Sequence, residues 1–135
     1  MELVVDRYNI SLFLNKYIKD ANSTILDLTN GQIYLDASIL CKPVPRVIKI
    51  AKSKKYIEYS NVKVWSTFNH EFIPSDVDIS LIVIDTLDVL ENENLMTYLD
   101  VLRIPILNTS GSQLPKKIAK MYSRPVKVDE GELYA

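Results

Sequence analysis

Two carboxylates, Asp85 and Asp88, close the stretch ISLIVIDTLDVL, in which an apolar run from Ile79 to Ile84 stops abruptly at an acid. In an enzyme, a carboxylate at the end of a buried strand often faces a metal-bound phosphate. In a domain without such a ligand, the same residue caps the following helix by accepting backbone N–H bonds that would otherwise go unmet. Capping by Asp85 or Asp88 is the reading that needs no further residue.

Other residues with reactive side chains lack the company that chemistry requires. His70, in FNHEF, is the only histidine, and Glu71 alone does not complete a metal set with it. It reads as a loop-packing histidine. Cys41 is the only cysteine, which excludes an internal disulfide. At a helix end on its apolar side, it reads as a buried structural thiol. Ser38, Ser80, Ser110 and Ser112 have no adjacent base, and Asp88, Glu91 and Glu93 read as a solvated helix face. No catalytic residue and no metal site is expected. Trp65, in KVWSTFNHEF, suits a core or interface position better than a stacked base, and it is the candidate interface anchor.

The charges are segregated along the chain. Lys42 to Lys55 holds six cations (Lys42, Arg46, Lys49, Lys52, Lys54, Lys55) and no acid, whereas Glu71 to Asp100 holds eight acids and no Lys or Arg. Arg103 to Lys127 is basic again, with Lys116, Lys117, Lys120 and Arg124. This pattern predicts one electropositive and one electronegative face. Tyr56 and Tyr122 interleave the basic blocks, so Lys52, Lys54, Lys55, Lys116 and Lys117 are the candidate nucleic-acid contacts.

The elements that must position these residues follow from periodicity. SLFLNKYIKDA has Leu12, Phe13, Tyr17 and Ile18 at helical spacing. NSTILDL is a short strand, and GQIYLDASILCK a helix ended by Pro43. RVIKIA is a second strand, YIEY and VKVW are two short alternating runs forming a hairpin or strand pair, and ISLIVI is a strand covered on both faces. ENENLMTYLDVL is a helix with Leu95, Met96, Leu99 and Leu102 inward, IPILN a central strand, and RPVKVDEGELYA two closing strands around Glu130-Gly131.

Strands alternating with helices predict one α/β domain over residues 1–135. Its sheet should be largely parallel, with antiparallel strands at the C-terminal edge. Ligands of such sheets sit beyond the carboxyl ends of the strands, here Asp27 to Asn30, Asp85 to Asp88 and Asn108 to Ser110. The 135 residues suffice for one core, and apolar runs of this length do not span a membrane. MELVVDRYNI carries acids early and no apolar core, so no secretory signal is expected, and a cytoplasmic location is.

In this order the three loops resemble the core of the RecA-type ATPases, especially the RadA-paralogue and KaiC-like branch. FLNKYIKDANSTILDLTNGQIYLDASILC stands where that family has a short helix, a glycine-rich turn, a strand, the P-loop and its helix. LIVIDTLDVL looks like the Walker B strand, LRIPILNTSG like the strand after it, and YSRPVKVDEGELYA like the closing pair. The resemblance implies a three-layer RecA-like domain. It also implies what is missing: the P-loop's G-x-x-x-x-G-K-[ST] is replaced by Leu28-Thr29-Asn30-Gly31-Gln32-Ile33-Tyr34-Leu35, without the lysine or the final hydroxyl. Asp85 is then a relic of Walker B, with no nucleotide, cofactor or metal to hold. The expectation is a pseudo-ATPase that works by binding, either as a homo-oligomer or with a recombinase or DNA-repair ATPase. The alternative is a small nucleic-acid-binding module using the basic blocks 42–55 and 103–127.

Overall fold

The computed structural model describes residues 2–51 and 59–135. A single seven-stranded sheet runs through it in the order β3-β2-β1-β4-β5-β7-β6. The strands are β1 (Ser23–Asp27), β2 (Arg46–Ile50), β3 (Val62–Trp65), β4 (Asp78–Ile84), β5 (Ile106–Asn108), β6 (Val126–Val128) and β7 (Gly131–Tyr134). The first five are mutually parallel, and β7 runs antiparallel to both β5 and β6. The chain is therefore α/β with a mostly parallel mixed sheet.

Apolar side chains on both faces of the central strands make this a buried sheet. Ile25, Leu81, Val83 and Leu107 pack on one side against α1 (Glu2–Asn15) and α2 (Ile33–Ser38), which contribute Ile10, Phe13, Leu14, Tyr34 and Leu35. Leu26, Ile82, Ile84 and Ile106 pack on the other side, against Leu95 and Leu99 of α3 (Glu93–Val101) and Ile118 of α4 (Lys116–Ala119). Alternation along each strand produces the two sets, and the result is three layers.

Several element boundaries depart from expectation. The first helix begins at Glu2 and ends at Asn15, so Leu12 faces outward, while Tyr17 and Ile18 pack from beyond its end. The second stops at Ser38, well short of Pro43, leaving Ile39 and Leu40 exposed. Leu102 lies past α3 and is exposed rather than inward. VKVW is an edge strand paired in parallel with β2, and most of YIEY lies outside the described residues. The closing hairpin forms as expected, and Gly131 is required there, since a Cβ would stand 2.3 Å from the carbonyl oxygen of Asn108.

Candidate functional site

The strand order 3-2-1-4-5 reverses between β1 and β4. Doubly wound sheets hold ligands in the crevice beyond the carboxyl ends of the strands at such a reversal. Here the crevice gathers the β1–α2 loop, Asp85 after β4, Thr109 after β5 and the β6–β7 turn. It encloses about 390 Å³ and is lined by Asp6, Thr29, Tyr34, Asp85, Asp129 and Glu130 among others, with no Lys or Arg among its described lining residues.

The floor is set by Asp27, the last residue of β1, and Lys49 in β2, which the parallel register places side by side. Both side chains are completely buried, and the Lys49 Nζ stands 3.2 Å from Asp27 Oδ2. The ammonium also donates to the carbonyl oxygens of Thr29 at 2.5 Å and Gly31 at 2.7 Å. Asp27 Oδ1 accepts from the Thr29 backbone N–H at 2.9 Å and its hydroxyl at 2.6 Å. Burial pushes the Asp27 carboxyl above its ordinary range, while Lys49 and the Thr29 hydrogen bonds oppose that rise.

Asp85 completes the loop from the other side. Its Oδ2 accepts from the Asn30 backbone N–H at 2.9 Å, and its Oδ1 is buried without a hydrogen-bond partner. The β1–α2 loop therefore directs the Thr29 and Asn30 amides onto two carboxylates of the protein, and two of its carbonyls onto a lysine beneath it. A phosphate-binding loop has the reverse arrangement, with amides and lysine aimed at the ligand. Tyr34 lines the crevice while buried, and its hydroxyl is held far above the usual tyrosine range by burial, then by the charges of Asp27, Glu130 and Asp85.

The expected capping role does not fall to either acid. Asp85 bonds to the β1–α2 loop, and Asp88 opens a 3₁₀ turn, Asp88–Glu91, that has no side-chain cap bond. Asn92 caps α3 instead, accepting from the Leu95 N–H at 3.0 Å. The chain makes that extra turn between β4 and α3, which leaves Asp85 too far upstream to reach the helix.

The basic segments are described only in part. Lys49 belongs to the core. Lys52, Lys54 and Lys55 lie outside the described residues. Lys116 and Lys117 are exposed on α4, but Lys117 lines a shallow cavity with Glu91 and Glu93, and Arg46 pairs with Asp76 at 3.6 Å. Arg46 and Lys117 thus sit beside acids of the acidic block. Trp65 lies half-buried in β3, at the opposite edge of the sheet from the closing hairpin.

His70 packs on α3, with its Nδ1 2.6 Å from Asn94 Oδ1 and its ring stacked on Tyr98. Cys41 is buried, with its thiol pushed up to about 11 by burial. Ser38 is buried, donates to the Leu35 carbonyl and accepts from Asn61. Among the described residues no group of three or more His, Cys, Asp or Glu is arranged to hold a metal ion, and no helix is long and apolar enough to cross a membrane.

The Asp27–Lys49 pair escaped the sequence reading, although a signal was present. RVIKIA puts a lysine inside an apolar central strand, and a cation there needs an acid from a neighbouring strand. No family model matches the chain, and no curated protein or solved structure matches it.

Proposed function

We propose that this chain is a non-catalytic, RecA-like pseudo-ATPase domain that acts as a structural or regulatory partner of another protein, of the recombinase or DNA-repair ATPase class. One observation carries the reading. At the ligand-binding end of the sheet, the loop amides of Thr29 and Asn30 are already bonded to Asp27 and Asp85. The surrounding crevice adds carboxylates rather than cations, so a triphosphate there would meet repulsion without a donor cradle. The order of the five parallel strands is the one found in doubly wound dinucleotide-binding sheets, and the RecA lineage rests on the order of the sequence elements alone.

What the domain offers a partner is its surface. Tyr8 and Leu12, one helical turn apart on α1, are exposed, as are Ile39 and Leu40 after α2, and α1 packs on α2. This layer presents apolar side chains that the fold does not use. The test is twofold. Magnesium-ATP should show neither turnover nor magnesium-dependent binding, and the protein used as bait should retrieve a protein partner that survives nuclease treatment. Micromolar magnesium-ATP binding that Asp85→Ala abolishes would overturn the reading.

The exposed lysines of α4 favour a second reading, direct nucleic-acid binding. Lys116, Lys117 and Lys120 are all exposed. Phosphate contacts release counterions, so such binding must weaken steeply with salt and with replacement of Lys116 and Lys117 by Ala. Gel shifts at two salt concentrations decide it.

A further inference from the structure

Between β3 and β4 the chain makes only a 3₁₀ turn, His70–Phe72, and an extended run, where a helix would cover the sheet. A cavity of about 580 Å³ remains over β2 and β3 on that side, lined by Arg46, Ile48, Lys63, Trp65, Phe72 and Asp76 among others. It lies toward the amino ends of the strands, away from the acidic crevice.

The pleat explains this lining. Lys63 and Trp65 are two apart on β3 and share a face, and the register sets them beside Ile48 and Ile50 of β2. Arg46, two before Ile48, falls on the same side. The Trp65 and Phe72 rings meet edge to face at 5.9 Å and 87°, yet Phe72 remains 61% exposed. Lys63 is exposed and has no ion-pair partner among the described residues, and Arg46 makes only the long contact to Asp76 at 3.6 Å. An apolar floor, an aromatic wall and two cations at the rim form a site for a planar ring that carries an anionic group. The volume falls within the range of roughly 300–1,000 Å³ typical of small-ligand sites. The rise between Lys63 and Trp65, roughly 7 Å over two strand residues, is comparable to the span from a nucleobase to its own phosphate.

We propose that this cavity binds a nucleotide unit, with the base against Trp65 and Phe72 and the phosphate on Lys63 and Arg46. The unit is either a free nucleoside monophosphate or one residue of a single strand. Base–aromatic stacking beside a cation is sequence-tolerant, and it needs neither a P-loop nor magnesium. Lys63 and Arg46 face only the single carboxylate of Asp76, so the described lining keeps a net positive charge, which selects an anion over an apolar peptide side chain.

Trp65 is the only tryptophan, so its fluorescence reports on this site alone. The full chain is titrated without magnesium against adenosine 5′-monophosphate, a short single-stranded oligodeoxyadenylate, adenosine and inorganic phosphate. The expected result is saturable quenching by the monophosphate or the oligonucleotide that weakens as salt rises. Lys63→Glu and Phe72→Ala, both at exposed side chains, should each weaken it about tenfold or more while leaving the unfolding midpoint in place. Equal affinity for both probes identifies a free nucleotide as the ligand, and a much tighter oligonucleotide identifies a single strand. The proposal is overturned if neither probe quenches saturably, including the case where a captured protein shields Trp65 instead. Adenosine binding as well as the monophosphate, or quenching unchanged in both variants, overturns it too. Failure to retrieve a protein partner leaves these outcomes untouched, so the two readings fail separately.

Discussion

A lysine with no exposed side-chain surface persists in a folded chain only where its charge and its donors are answered. At Lys49 the Asp27 carboxylate and the carbonyls of Thr29 and Gly31 supply those answers. Removing one member of such a pair leaves the other buried and uncompensated. Lys49→Met should therefore lower the unfolding free energy by about 3–5 kcal/mol in urea titrations. Adding Asp27→Asn to that variant should recover part of the loss, because the stranded charge goes with it. A Lys49→Met protein as stable as the parent would remove the pair from the account of the loop. At this scale the sequence is least explicit, because a lysine in a run of six cations reads as one more surface charge. Only its neighbours within RVIKI mark it as inward, and its partner stands 22 residues away.

At the scale of elements, Asp85 acts as a strap between β4 and the β1–α2 loop, joining residues 55 apart. The two adjacent loop amides have different acceptors, Thr29 bonding to Asp27 and Asn30 to Asp85, so they can be separated experimentally. Asp85→Ala should cost about 1.5–3 kcal/mol, the range for a hydrogen bond to a charged group. It should also speed hydrogen exchange at the Asn30 amide while Thr29 remains protected. Equal acceleration at both amides would mean that the loop opens as a unit and that Asp85 is not its strap. Element types were largely legible, because uniform apolar runs mark central strands and alternation marks the edge. Element ends were less so. The helix after β1 stops at Ser38, whose hydroxyl bonds back to Leu35, before the proline downstream has any influence. The 3₁₀ turn that separates Asp85 from α3 carries no proline or glycine to announce it.

For the molecule as a whole, charge arrangement and apolar exposure give different answers about how it meets a partner. Blocks of opposite sign along the sequence predict two opposed faces. Among the described residues Arg46 stands against Asp76 and Lys117 beside Glu91 and Glu93, whereas Lys116 and Lys120 are exposed without an ion pair. Sequence order shows the runs of charge, whereas the sheet order that sets them side by side depends on contacts far apart in the chain. The α1–α2 layer carries a stronger signal, with Tyr8, Leu12, Ile39 and Leu40 all between 41% and 56% exposed. Exposed apolar side chains on one layer point to an interaction surface, and burial of apolar area supplies the affinity that mixed surface charges do not. Static light scattering across a concentration series should show mass rising with concentration if the layer pairs two copies, and constant monomer mass if its partner is a different protein. In either case Leu12→Glu should abolish the association, whereas Val126→Glu, at an even more exposed residue on the closing hairpin, should leave it intact. Loss of association in the hairpin variant but not in the helix variant would move the interface to the hairpin edge of the sheet.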